Sequence, residues 1–242
     1  MRKSIVDISP QKTARIAGLL YLMIIISGIF AEFIVRSSFI VPGNPAATAS
    51  NIAASESLFR IGIASDLIMI ICDVALALLF YVLLRAVSES LSLLAAFFRL
   101  IQAAILGANL LTLFVVLQML NGTGYLSGFG AHQLNALAFI FLDIHSIGYS
   151  IGLVFFGINC LILGYLVFAS GYFPRILGVL LIMASAGYLV DSFACVLLTN
   201  YGAYENIFNF VVFIPAFIGE LSMCLWLLIK GVEADKIQLS QN

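Results

Sequence analysis

Charged residues are scarce in this chain. Lysine, arginine, aspartate and glutamate together make up 10% of its 242 residues, whereas soluble domains carry about 25%. A water-soluble fold is therefore excluded. The formal net charge is only −1, so the chain offers no strongly basic surface to nucleic acid, and no nucleic-acid partner is expected.

Histidine and cysteine are also scarce, which limits metal and redox chemistry. Of the two histidines, only His145 lies well inside an apolar stretch, because His132 precedes one. No P-loop, dinucleotide or G-x-S-x-G motif is present, so we expect no metal site and no cofactor. The four cysteines lie in apolar stretches without a C-x-x-C pair, which indicates buried small side chains and no disulfide framework: Cys72, Cys160, Cys195 and Cys224.

Long apolar stretches occupy most of the chain. Hydrophobic residues make up 63% of it, and a spanning helix needs roughly 20 of them in succession. The first stretch is too long for a signal peptide, and no A-x-A site follows it. The sequence predicts an all-α, polytopic transmembrane bundle of six helices in a single integral membrane domain over residues 1–242. The predicted spans cover about 16–35, 61–84, 93–120, 134–169, 174–198 and 207–229.

Two smaller signals refine the helix boundaries. Ser9 and Pro10 are typical of a helix start, because a hydroxyl can cap the helix and proline needs no hydrogen-bond acceptor there. Asn44 and Pro45 predict a short Ala-rich helix in the longest connection, between the first two spans.

The cations are distributed unequally between the two sides of this threading. Arg36 and Arg60 fall on one side, whereas eight cations fall on the other, which predicts a cell (plasma or inner) membrane protein with both termini in the cytoplasm. The lipid bilayer is then its partner, and the sequence gives no oligomeric state. The eight cations are Arg2, Lys3, Lys12, Arg15, Arg85, Arg175, Lys230 and Lys236.

Six carboxylates interrupt the apolar spans, and only one cation, Arg99, is predicted at comparable depth. Ionisable groups in hydrocarbon are costly and are by default hypotheses for functional sites. Some of the six must be protonated, hydrated or matched by a cation, so a proton or a cation is the expected small partner. The carboxylates are Glu32, Asp66, Asp73, Asp143, Asp191 and Glu220.

Asp73 and Arg99 are predicted to pair. Both lie about 16–18 Å above the cytoplasmic side when 1.5 Å is counted per residue, and a single mid-membrane arginine needs a counter-charge. Gln102 and Asn109 continue the Arg99 side of span three. The predicted polar interior consists of the six carboxylates together with Arg99, Gln102 and His145.

Span four contains Asp143 and His145, which are two residues apart and therefore about 200° apart around a helix. This spacing argues against a shared metal ligand. His145 instead shares a face with Gly148, Gly152 and Asn159, and the G-x-x-x-G pair is typical of close helix packing.

A weak internal repeat is visible. Arg15-Ile-Ala-Gly opens span one, and Arg175-Ile-Leu-Gly opens span five. The repeat predicts that spans one and two are related to spans five and six by an axis along the membrane normal. Four acids would then converge on one central cavity, with at least one protonated at neutral pH: Glu32, Asp73, Asp191 and Glu220.

Several segments together form a specific pattern: AEFIVRSSFIVPG (31–43), LFRIGIASDLIMIICDVALAL (58–78), AAFFRLIQAAILGANLL (95–111), FLDIHSIGYSIGLVFFGINCLILGYL (141–166), SGYFPRILGVLL (170–181) and PAFIGELSMCLWLLIKGV (215–232). With them the chain resembles a bacterial family of six-span membrane proteins known as domain of unknown function 4386, over about Arg15 to Val232. The resemblance implies membrane location and a single all-helical domain. It supplies no activity, so no catalytic residue carries over.

Three functions fit these observations. The leading hypothesis is a small transporter, or a proton- or cation-linked membrane protein, with a carboxylate-lined interior. The second is an intramembrane enzyme acting on a lipid, with His145 and Asp66, Asp143 or Asp191 as acid–base groups. The third is a structural or regulatory membrane protein whose polar groups only hold helices together.

Overall fold

The structure is a computed structural model that describes residues 9–122 and 124–232. The side chains of residues 125, 205, 206, 209, 211 and 213 lie outside this description. The predictions made for Arg2, Lys3 and Lys236 also fall outside the described residues.

The described residues form helices joined by short connections, without a strand. Helix α1 (Pro10–Ile29) continues through a π-helical segment, Phe30–Arg36, into α2 (Ser37–Phe39). Helix α3 (Pro45–Ala54) is the predicted short helix, and Asn44 caps it by accepting a hydrogen bond from the Ala47 N–H (3.0 Å). The remaining helices are α4 (Glu56–Leu84), α5 (Glu89–Leu120), α6 (Ala131–Ala169), α7 (Arg175–Leu197) and α8 (Glu205–Ile229), with single 3₁₀ turns at Gly124–Leu126 and Tyr201–Ala203.

Five of the helical stretches are long and apolar enough to cross a membrane: Pro10–Phe39, Glu56–Leu84, Glu89–Leu120, Ala131–Ala169 and Arg175–Leu197. Within α8, the described apolar stretch is shorter, Ile214–Ile229. The prediction of an all-helical, multi-pass membrane bundle is thereby confirmed.

The first span differs from its predicted bounds at both ends. It begins at Pro10, as the Ser9–Pro10 signal indicates, and it continues past Val35 to Phe39. The prediction ended the span at about Val35 and assigned Arg36 to the connection that follows. The π-helical segment instead carries Arg36 within the helix, where its side chain is buried.

The chain divides into two compact units. The first contains Met1–Leu22, Cys72–Gln102 and Leu153–Asn242, and the second contains Met23–Ile71 and Ala103–Gly152. The predicted single integral domain and the predicted repeat stay predictions.

Close glycine contacts bring α6 and α7 together in the first unit. A Cβ on Gly164 would lie 2.8 Å from the carbonyl oxygen of Gly178, and a Cβ on Gly178 would lie 2.7 Å from the Phe168 backbone nitrogen. Neither position accepts a side chain without moving backbone, so these glycines set the separation of the two helices.

In the second unit, an apolar core forms around α3, α4 and α5. The rings of Phe39 and Phe59 meet edge to face with centroids 5.9 Å apart. The Asn51 side-chain amide donates to the Phe39 carbonyl (3.2 Å), which fastens α3 to the end of the first span. Other buried members are Val35, Ile52, Ile63, Leu110, Leu113, Val116, Leu117, Ala138 and Leu142.

Candidate functional site

Asp73 and Arg99 form a buried ion pair in the first unit, as the sequence predicted. Arg99 donates from Nε (2.9 Å) and Nη2 (2.5 Å) to Oδ1 of Asp73. Gln102 donates from Nε2 to the other carboxylate oxygen (3.2 Å). Arg99 is 1% exposed and Asp73 is 2% exposed, so both charges are removed from solvent and depend on each other.

Aromatic rings and an amide hold the Arg99 guanidinium on its other sides. Its central carbon lies 5.6 Å from the centroid of the Tyr21 ring and 5.2 Å from that of Phe156, within the range of cation–π attraction. Asn159 Oδ1 lies 3.5 Å from Nη1, and the Asn159 amide donates to the Ala95 carbonyl (2.7 Å). Side chains from α1, α4, α5 and α6 thus fix one arginine.

A small cavity adjoins Arg99. Its volume is about 10 Å³, close to the minimum that one water molecule needs. Ser92 and Asn159 line it with Arg99, and its other walls are apolar. The polar interior of the first unit is therefore tightly packed around its ion pair.

Glu220 occupies a different kind of environment in the same unit. The Tyr188 hydroxyl donates a short hydrogen bond to its carboxylate, and the Tyr21 hydroxyl lies near the same group. Glu220 is half-buried and within electrostatic range of Asp73 and Arg99. No cation forms an ion pair with Glu220 in the described part of the chain.

Asp191 lies one helical turn beyond Tyr188 on α7. Its carboxylate is buried and accepts a hydrogen bond from the Tyr201 hydroxyl (2.7 Å). Within residues 9–122 and 124–232, no ion pair involves Asp191. Among the described residues of the first unit, Asp73 is thus paired with a cation, whereas Glu220 and Asp191 are held by phenols.

A second charge cluster occupies the second unit and is centred on Arg36. Its Nε donates to Glu32 (2.7 Å) and its Nη1 donates to Asp66 (2.5 Å). Arg36 and Asp66 are buried, whereas the Glu32 side chain is 54% exposed. Arg36 is thus a second buried cation beside Arg99 in the described residues, at the end of the π-helical segment.

His145 packs against α5 near this cluster. Its Nδ1 lies 3.2 Å from Thr112 Oγ1 and 3.3 Å from the Asn109 carbonyl oxygen, while the Asn109 amide donates to the His145 carbonyl (2.8 Å). Nε2 is buried and has no hydrogen-bond partner among the described residues. His145 and Asp66 line one gap, which leaves no space for a water molecule.

Asp143 and His145 lie on opposite faces of α6, as their spacing predicted. Asp143 is exposed and His145 is buried, so the two cannot share a ligand. The G-x-x-x-G pair has the predicted packing role, because Gly148 lies against Asn109 and a Cβ on Gly152 would lie 3.0 Å from Leu106. Among the described residues, no group of three or more potential metal ligands is present.

The predicted polar residues thus separate into distinct environments. The first unit brings together Asp73, Arg99 and Gln102, with Glu220 nearby; the second brings together Glu32, Asp66 and His145. Convergence of four acids on one cavity stays a prediction. The sequence interpretation missed Arg36, Tyr21 and Tyr188. A phenol inside an otherwise apolar span was the available signal for both tyrosines, because a buried hydroxyl needs a partner.

Comparison with known proteins identifies the family. Residues 16–231 match the family described as Domain of unknown function (DUF4386). The chain belongs to this family. It is also 33% identical, over 170 residues, to an uncharacterized protein of Archaeoglobus fulgidus; the match covers 70% of this chain and 83% of the relative. No solved structure matches the chain.

Proposed function

We propose that this member of the DUF4386 family is a proton-linked membrane transporter, and that the Glu220 carboxyl is the group that takes up and releases the proton. One observation carries the proposal: Glu220 is held by a tyrosine hydroxyl and by no cation in the described residues. Intramembrane carboxyls of this kind are characteristic of proton pathways in pumps and transporters.

The charge balance near Glu220 supports a bound proton. Arg99 directs both of its closest donors to Asp73, so it neutralises that carboxylate first. An ionised Glu220 would add a second negative charge close to Asp73 in a low-dielectric interior, where like charges repel strongly. A proton on Glu220 removes this repulsion and leaves the Asp73–Arg99 pair intact.

Loss of that proton supplies a physical link to helix movement. An ionised Glu220 competes with Asp73 for the single guanidinium of Arg99. Glu220 belongs to α8, which contains Pro215 five residues earlier, and proline interrupts the helical hydrogen-bond ladder. The part of α8 that carries Glu220 can therefore change its angle when the carboxyl changes charge.

Infrared spectroscopy of the membrane-embedded protein tests the proton site. We expect a carbonyl band of a protonated carboxyl at neutral pH in the wild type. Glu220→Gln should remove this band and still accept the Tyr188 hydrogen bond, so it should fold. Glu89→Gln is the matched control, because Glu89 is an exposed acid at the first residue of α5, and it should leave the band in place. A wild-type spectrum without the band, or a band that persists in Glu220→Gln, overturns the assignment.

We further propose that the protein resides in the cell membrane with both termini in the cytoplasm. The described cations at one end of the spans support this orientation: Lys12, Arg15, Arg85, Arg175 and Lys230. Positive charge is enriched in cytoplasmic connections.

A structural or regulatory role is the second candidate. It is favoured by the closely satisfied Asp73–Arg99 and Arg36–Asp66 pairs and by the small volumes beside them. Under this alternative, substitutions in the pairs would lower stability and Glu220 would not exchange protons with solvent. The lipid-enzyme hypothesis has less support, because the gap that His145 and Asp66 line has no space for a substrate group.

A further inference from the structure

Five exposed cations of the first unit form what we call the basic rim: Lys12, Arg15, Arg85, Arg175 and Lys230. None of them takes part in an ion pair within the described ranges. In the described part of the chain their charges therefore have no carboxylate partner, unlike those of Arg36, Arg60 and Arg99.

Hydrogen bonds from Gln11 gather three of these cations at one place. The Gln11 amide donates to the Lys230 carbonyl (2.8 Å), and its oxygen accepts from the Val232 N–H (2.9 Å). The start of α1 is thereby fastened to the end of α8. Lys12 follows Gln11 directly and Arg15 lies one turn later, so both are close to Lys230.

A buried phenol fastens the other part of the rim. The Tyr172 hydroxyl donates to the Leu83 carbonyl (2.6 Å), which joins the end of α4 to the connection between α6 and α7. Burial raises the pKa of the Tyr172 phenol, so the group remains a donor. Arg85 and Arg175 flank this bond in sequence, and Arg175 lies over the Phe168 ring.

Exposed apolar side chains lie directly beside the rim cations. Ile16 follows Arg15, Ile176 follows Arg175, and Ile229 precedes Lys230; all three are exposed, Ile229 by 66%. A partner that presents a negative group next to hydrocarbon matches this arrangement. Nucleic acid lacks the hydrocarbon, whereas a lipid carries its acyl chains directly beside its charged headgroup.

We propose that the basic rim is a binding surface for acidic phospholipids, whose phosphates contact the five cations while their acyl chains cover the adjacent isoleucines. Juxtamembrane cations attract acidic lipids individually, and within residues 9–122 and 124–232 five of them lie at the end that also carries the exposed acid Glu89. The proposal is independent of the role assigned to Glu220.

Thermal unfolding in neutral detergent tests the rim with defined lipids. Phosphatidylglycerol should raise the melting temperature of the wild type more than phosphatidylcholine does. The triple variant Lys12→Gln/Arg15→Gln/Lys230→Gln and the double variant Arg85→Gln/Arg175→Gln should each lose part of this difference. The apparent affinity for phosphatidylglycerol should fall roughly fivefold per cation removed.

Arg60→Gln is the matched control, because Arg60 is exposed but already paired with Glu56 (2.6 Å), and it should keep the wild-type lipid preference. High salt should abolish the preference in the wild type, since it screens exposed charges; this measurement does not depend on any variant folding. Equal stabilisation by both lipids, or a preference that survives salt or survives in the rim variants, would refute the proposal.

Discussion

At the residue scale, the Asp73–Arg99 pair shows why buried charges constrain this molecule. Both side chains are almost wholly removed from solvent, so each is stable only beside the other. The pairing was predictable, because counting residues from the cytoplasmic side places the acid and the cation at about the same depth on neighbouring spans. The Arg36–Asp66 pair was not predictable in this way, because the local change to a π-helix determines where Arg36 points.

Removing either partner of the Asp73–Arg99 pair should strongly destabilise the protein. Asp73→Asn or Arg99→Gln leaves an uncompensated buried charge, which costs roughly 3–5 kcal/mol. We expect a lower melting temperature in detergent for each single variant and partial recovery in the double variant, because the double variant contains no unpaired charge.

The exposed pair of Glu56 and Arg60 provides the comparison for this double-mutant cycle, in which two single variants are compared with the double variant. Its two side chains are 32% and 51% exposed, so Glu56→Gln and Arg60→Gln should couple by only about 0–1 kcal/mol. Strictly additive losses at Asp73 and Arg99 would show that the two charges do not stabilise each other.

At the element scale, the length of each apolar stretch predicted the helices well. It did not predict where a helix departs from regular α-helical geometry. The helix starts at Pro10 and Pro45 follow from capping chemistry that is visible in the sequence. The π-helical segment leaves no comparable signal, because it depends on how Phe30–Arg36 pack and pair. Glycine packing was predictable as a pattern at Gly148 and Gly152, whereas the partners on α5 required coordinates.

At the scale of the whole molecule, composition alone indicates a membrane bundle, because 63% hydrophobic residues and 10% charged residues are incompatible with a soluble core. The candidate site was only partly predictable. Its acids and Arg99 stand out in apolar stretches, but the tyrosines that hold Glu220 and Asp191 belong to other helices or connections. Their role depends on tertiary packing that periodicity does not encode.

Topology is the property of the whole molecule that is most sensitive to the number of spans. Reporter fusions at Asn121 and at the C-terminus should label opposite sides of the membrane, with the C-terminus in the cytoplasm. The reason is that three spans lie between them when α8 crosses the membrane. If α8 does not cross, both reporters label the same side, and the six-span threading is wrong.

The most direct test of proton linkage is a pH jump on proteoliposomes adsorbed to a solid-supported membrane. Proton binding to a carboxyl inside the membrane displaces charge, so the recording needs no knowledge of the substrate. Wild-type protein should give a transient current that is absent from empty liposomes and from Glu220→Gln and is retained in Glu89→Gln, because Glu89 is exposed at the start of α5. A wild type without a current, or a current that is unchanged in Glu220→Gln, would contradict the account.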